Sequence, residues 1–179
     1  MVNKNYMYSL CGWLGMLLAV CGPTGCSSFE SSHDIPVVKG FDAERYLGTW
    51  HEIARLPKWF EHGLTDVTAT YEMDGDTLRI TNRGFVDGEE KVSEAVGHFA
   101  GATDEGAFRV SFFRPFYGDY RIIWLSSNYD LALVTGGDRS SLWILARDKD
   151  LPIERRNALV RAAFDWGFDI SKLEYLSGR

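Results

Sequence analysis

The residues able to do chemistry in this chain are few, and their placement argues against catalysis. All three cysteines, Cys11, Cys21 and Cys26, stand near the N-terminal end. The sequence after residue 26 therefore has no internal disulfide and no thiolate nucleophile. The four histidines, His33, His51, His62 and His98, are scattered. No Gly-x-Ser-x-Gly, phosphate loop or His-Glu-x-x-His occurs, so neither cofactor nor metal is expected. A net charge of −6 and the lack of any run of Lys or Arg exclude nucleic acid as a partner. Two features remain. One is a cysteine, Cys26, set among small residues. The other is an aromatic content of 14%, enough to line a cavity or to fill a core.

The elements that must position those aromatics read as strands. Arg45–Gly48 is a tight lead-in, and Thr49–Arg55 then alternates. Trp50, Glu52 and Ala54 share one face, and His51, Ile53 and Arg55 share the other. Thr65–Met73, Leu78–Val86, Lys91–Ala100, the run around Phe108–Phe112, Asp119–Ser126, Tyr129–Thr135 and Leu142–Arg147 follow. Asp74-Gly75-Asp76 and Asp87-Gly88 are hairpin signals. Eight strands with short turns and no crossover helices favour an all-β, antiparallel up-and-down barrel; a sandwich is the alternative. Pro152 opens a helix whose Leu159, Val160, Ala163, Phe164 and Trp166 form a stripe for the barrel's outer wall, and Gly167 stops it. Ile170–Leu176 reads as a short last strand.

Parity turns Val67, Ala69, Tyr71, Ala95, Gly97, Phe99, Phe108, Val110, Phe112, Trp143 and Leu145 inward. Small residues on one wall face large ones on another. In a solid interior they would complement each other in volume; in a hollow one they make room for a ligand. The residues alone leave both open. His51 and His98 oppose the inward set and are expected in solvent. Glu52 is expected to be a hydrogen-bonded structural carboxylate low in the barrel.

In this order and spacing, the chain from Phe41 onward closely resembles the bacterial outer-membrane lipocalins, relatives of apolipoprotein D. The family's three marker regions fall on Gly48-x-Trp50, on the turn around Ser126–Asn128, and on Arg147. The second departs from the pattern: Ser-Ser-Asn stands where the family often has Thr-Asp-Tyr. The resemblance implies an eight-stranded lipocalin β-barrel over 41–179, with one C-terminal α-helix packed outside. It also implies that Arg147 stacks across Trp50 beside Gly48 at a closed floor. Trp59, Phe60, Phe116 and Tyr117 would then rim the open mouth, with Arg114 and Arg121 near enough to meet an anionic head.

Residues 1–25 read as a targeting segment. Lys4 precedes the apolar run Leu10–Val20, which is too short to span a membrane. Pro23-Thr24-Gly25-Cys26-Ser27-Ser28 is similar to the lipobox of bacterial lipoproteins, which implies cleavage before Cys26 and acylation of its sulfur and new amine. Pro23 departs from that pattern. Cys21 competes, but Val20 is bulky for the residue before a cut; a plain secretory signal is the other reading. Cleavage removes Lys4 and leaves a net charge of −7. Residues 26–40 would form a flexible tether, and Ser27 and Ser28 resemble an outer-membrane signal.

The resemblance therefore implies a lipid-anchored protein of the cell outer membrane that binds a lysophospholipid or fatty acid, for storage, transport or membrane maintenance. Its partners would be that lipid ligand and the membrane holding the anchor, with a homodimer left open. Two other readings remain. One is an enzyme on a lipocalin-like barrel, although the family's enzymes use a cysteine inside the barrel and none is present here. The other is a structural envelope protein with a filled barrel.

Overall fold

The structure is a computed structural model and describes residues 35–176. Nine strands form a single sheet, β1 (Gly48–Arg55), β2 (Thr65–Asp74), β3 (Thr77–Val86), β4 (Glu89–Phe99), β5 (Ala107–Phe113), β6 (Phe116–Leu125), β7 (Leu131–Thr135), β8 (Trp143–Ala146) and β9 (Glu174–Tyr175). Neighbours in sequence pair antiparallel from β2 to β8. β1 closes the ring. Its first half pairs with β2, Trp50 opposite Ala69, and its second half with β8, His51 opposite Ala146. Closure leaves no long unpaired edge. Where β2 turns away, β9 takes its place beside Ala54 and Arg55.

Turn chemistry fixes the register. At the β3–β4 hairpin Asp87 and Gly88 have φ of 52° and 83°. Two successive left-handed residues make the two-residue turn whose twist matches the strands. The turns β2–β3, β4–β5 and β6–β7 gather at one end, with the short helix α1 (Ala43–Tyr46); the other four connections gather at the opposite end.

Two cores share the barrel wall. Inside lie Trp50, Tyr46, Tyr71, Phe41, Phe108, Ile80, Ile122, Val134 and Leu145. Outside, Ile53, Leu133 and Ile144 meet Leu159 and Ala163 of α2 (Ile153–Asp165) and Phe168. Phe164, expected in that stripe, is 54% exposed. Gly167 ends the helix at φ 84°, and the Phe168 amide donates to the Ala163 carbonyl, a left-handed C-terminal cap.

The sequence pattern predicts a tether over residues 26–40. Cys26 lies outside the described residues. Residues 35–40, however, pack against the barrel. Ile35 is fully buried, and Val38 bridges β6 and the residue just before β5: its amide donates to the Ile122 carbonyl and its carbonyl accepts from the Gly106 amide.

Candidate functional site

The floor is built around one arginine. Arg147 follows β8, and its guanidinium carbon lies 4.0 Å over the Trp50 ring. Its Nη1 donates to the Thr49 carbonyl at 2.8 Å. Its Nη2 donates to the Leu47 and Tyr46 carbonyls at 2.7 and 3.0 Å, and Nε reaches the Tyr129 carbonyl. Gly48, at φ 86°, is required here: a Cβ would sit 3.4 Å from Arg147 Nη1 in a backbone conformation L-residues rarely adopt. Trp50 is fully buried, and its indole N–H donates to the Tyr46 carbonyl. The variant marker turn closes the same end. Ser126 Oγ accepts the Asp130 and Leu131 amides and donates to Asp130 Oδ1. Arg45 reaches the Ser127 carbonyl and covers the Tyr129 ring at 4.0 Å.

Above the floor three tyrosines meet. Tyr120 Oη lies 2.7 Å from both Tyr46 Oη and Tyr71 Oη. Burial is the main cause that raises all three hydroxyls above their ordinary pKa, so they stay neutral and contribute hydrogen bonds, not charge. Tyr46 and Tyr120 were not singled out from the sequence. Tyr120's inward parity was available; Tyr46 sits in the short helix before β1, where strand alternation gives no signal.

A charged group stands on the inner wall between floor and mouth. The sequence pattern placed Arg55 opposite Trp50. A β-bulge between Glu52 and Ala54 shifts the register, so that Arg55 pairs with Trp143 and joins Glu52 inside. Arg55 is 1% exposed. It donates to Glu52 Oε1 at 3.2 Å and to the Glu61 carbonyl at 2.6 Å, and its Nε lies 3.5 Å from Glu174 Oε2. Glu61 accepts the Trp143 indole N–H at 3.0 Å. Loop 57–64 is thereby fastened across the rim. Burial, and then the neighbouring Glu61 charge, push Glu52 up to about 8 despite Arg55; burial also raises Glu61.

Of the other residues read as inward, Val67, Tyr71, Ala95, Gly97, Phe108, Val110 and Leu145 are buried, and Ala69, Phe99 and Trp143 are partly buried. Phe112 departs from the inward reading. A second bulge follows Val110, and Phe112 is 46% exposed. Trp59, Phe60, Phe116 and Tyr117 lie at the mouth end, on the β1–β2 loop and at the start of β6. Arg121 is corrected: it follows inward-facing Tyr120, points out, and donates to the Ile35 carbonyl. Arg114 is on the β5–β6 turn. The inner wall also includes Asn82, paired with Ala69 and Ser93.

Residues 41–177 match the family model for the lipocalin-like domain. The chain is 45% identical over 150 residues to Outer membrane lipoprotein Blc of Escherichia coli (strain K12), covering 82% of this chain and 85% of that one. It is 35% identical over 156 residues to Outer membrane lipoprotein Blc of Vibrio cholerae, covering 85% and 90%. Among solved structures, insecticyanin from the tobacco hornworm Manduca sexta superposes with a TM-score of 0.66 at 22% identity, over 82% of this chain and 85% of that one. The chain belongs to the lipocalin family and, within it, to the bacterial outer-membrane lipoprotein lipocalins.

Proposed function

We propose that the barrel takes up one single-chain amphiphile, a lysophospholipid or a fatty acid, and holds it for storage, transport or salvage of membrane lipid. The observation that carries this reading is surface left open on the inner wall. Ala69, Asn82 and Trp143 point inward yet are only partly buried, and Ser93 beside Asn82 is exposed. Toward the floor the interior is packed with the Trp50, Tyr46, Tyr71 and Phe108 cluster, at whose edge Ala69 sits opposite Trp50. A lumen closed below and open above suits one acyl chain, each buried methylene contributing about 0.8 kcal/mol.

Ordering the chain and restricting the ligand offset much of that gain, so affinities of about micromolar are expected. Two-chain phospholipids should bind worse, because the filled lower barrel leaves room for one tail. The family is one of binding proteins, and the buried polar groups here, Glu52 and Arg55, are taken up by each other and, through Arg55, by loop 57–64. Titration of the delipidated protein, followed by Trp143 fluorescence, tests the reading with a lysophospholipid, a fatty acid and a two-chain phospholipid. Saturation by the single-chain ligands is expected. No saturable signal from a protein shown folded by circular dichroism would favour a filled, structural barrel.

A further inference from the structure

The largest exposed apolar side chains gather at the mouth. Trp59 is 89% exposed, Phe113 81% and Phe116 78%, with Phe60 and Phe112 also open to solvent. Trp59 and Phe60 pack on each other, ring centroids 5.7 Å apart. They form two groups, on the β1–β2 loop and at the β5–β6 turn, on opposite sides of the ring; exposed apolar side chains concentrated at one end of a fold mark a contact site. We propose that this rim docks on a lipid bilayer, so that the lumen opens directly against the membrane. This goes beyond the proposed binding of a lipid, which does not require it.

Three observations favour a bilayer as the occupant. The first is charge. On a chain of net charge −6, the outward charges of the two aromatic loops are cationic, Lys58 and Arg114. Glu61, the acid of the first of these loops, is turned in to Trp143. Arg114 has no partner among the described residues. Aromatics with Lys and Arg are what the headgroup region accepts. The acidic β3–β4 tip, Asp87 to Glu90, would be held off anionic headgroups, which tilts the contact toward the β7–β8 side.

The second is reach. Eight residues separate Cys26 from Ile35, a span of up to about 30 Å. That is comparable with β6, whose ten residues measure about 33 Å. An anchor at Cys26 leaves the mouth free to face the bilayer that holds it. The third is route. The same rim surrounds the barrel end opposite the Trp50–Arg147 floor, so a lipid could pass between bilayer and lumen without crossing water.

The test uses the full-length, membrane-attached protein in liposomes of phosphatidylethanolamine and phosphatidylglycerol. No cysteine follows Cys26, so an environment-sensitive probe can be placed on Phe113→Cys at the rim and on Asp76→Cys at the floor. Nitroxide headgroup lipids should quench the first and spare the second. Equal quenching at both sites overturns the proposal. So does a blue shift at residue 113 that grows with protein density without nitroxide quenching, since a second copy would then cover the rim. Phe113→Asp should slow lysophospholipid uptake from liposomes about tenfold while sparing affinity in membrane-free titration; an unchanged uptake rate also counts against docking. Quenching at residue 113 in a protein that takes up no lipid would support docking and overturn the binding reading alone.

Discussion

Arg147 lies 4.0 Å over the ring of Trp50 while donating hydrogen bonds to backbone carbonyls of the segment leading into it, at Tyr46, Leu47 and Thr49. One side chain thus does two jobs. It stacks on the indole, and it satisfies carbonyls that the abrupt turn into β1 leaves without strand partners. Burial lowers its pKa, but a guanidinium keeps its proton at any ordinary pH.

Trp50→Ala should destabilise the protein by about 3–5 kcal/mol, from lost burial and the cavity left behind. Arg147→Ala should cost about 2–4 kcal/mol, because several carbonyls lose their donor together with a cation–π contact. The two losses should be non-additive by about 0.5–2 kcal/mol. Arg147→Lys should recover little, since one ammonium cannot span carbonyls on two segments. A urea-denaturation double-mutant cycle measures this; additive losses would mean that the stack contributes nothing.

The features legible in the sequence were those set by local pattern. Alternation gave the strands, Asp-Gly pairs gave the hairpins, and Gly48, Trp50 and Arg147 gave the floor. What escaped was set by register. A bulge inserts one residue without a composition signal, so Arg55 and Phe112 each ended on a face that strict alternation denies them. Arg55 was the harder case, because nothing in its own neighbourhood says that Glu52, Glu61 and Glu174 will converge on it from three separate segments. The burial of Ile35 was illegible for the same reason: a short polar stretch reads as tether until β6 and the residue just before β5 offer it backbone partners.

Glu52 gives the protein a pH dependence with a definite sign. Its ordinary value is 4.5 and it rises to about 8 in the fold. Between those limits the folded protein holds a proton that the unfolded chain releases. The associated stability is therefore complete below about pH 4.5 and is lost as pH rises toward 8, at up to about 1.4 kcal/mol per pH unit. Glu61 shifts in the same direction. Unfolding midpoints taken from pH 5 to 8 should decline more steeply for the wild type than for Glu52→Gln. Parallel curves would show that Glu52 is ionised in the folded state throughout.

The anchor proposed at Cys26 predicts a clean loss. Cys26→Ala should remove the acylated sulfur and leave the protein unprocessed or mislocalised, because stable attachment needs more than one acyl chain. Incorporation of labelled palmitate compares the two proteins. Equal label in both would move the modification to Cys21 or rule it out.

Filling the lumen separates binding from folding. Ala69 lies inward beside Trp50, between β1 and β3, and keeps accessible surface. Ala69→Trp should occupy the space meant for an acyl chain, because Ala69 sits at the edge of the buried Trp50 cluster and part of its surface opens to the lumen, where the indole can extend. Gly97 is a poorer position for the same test: a Cβ there would sit 3.2 Å from Val110 Cγ2, so Gly97→Phe would strain the wall as well as fill it, at about 1–3 kcal/mol. Ala69→Trp should therefore lower lysophospholipid affinity about a hundredfold, the loss expected when three or four methylenes, at about 0.8 kcal/mol each, can no longer be buried. Its unfolding midpoint should stay near that of the wild type. Gly97→Phe should lose both affinity and stability. Wild-type affinity in a folded Ala69→Trp protein would place the ligand somewhere other than the lumen.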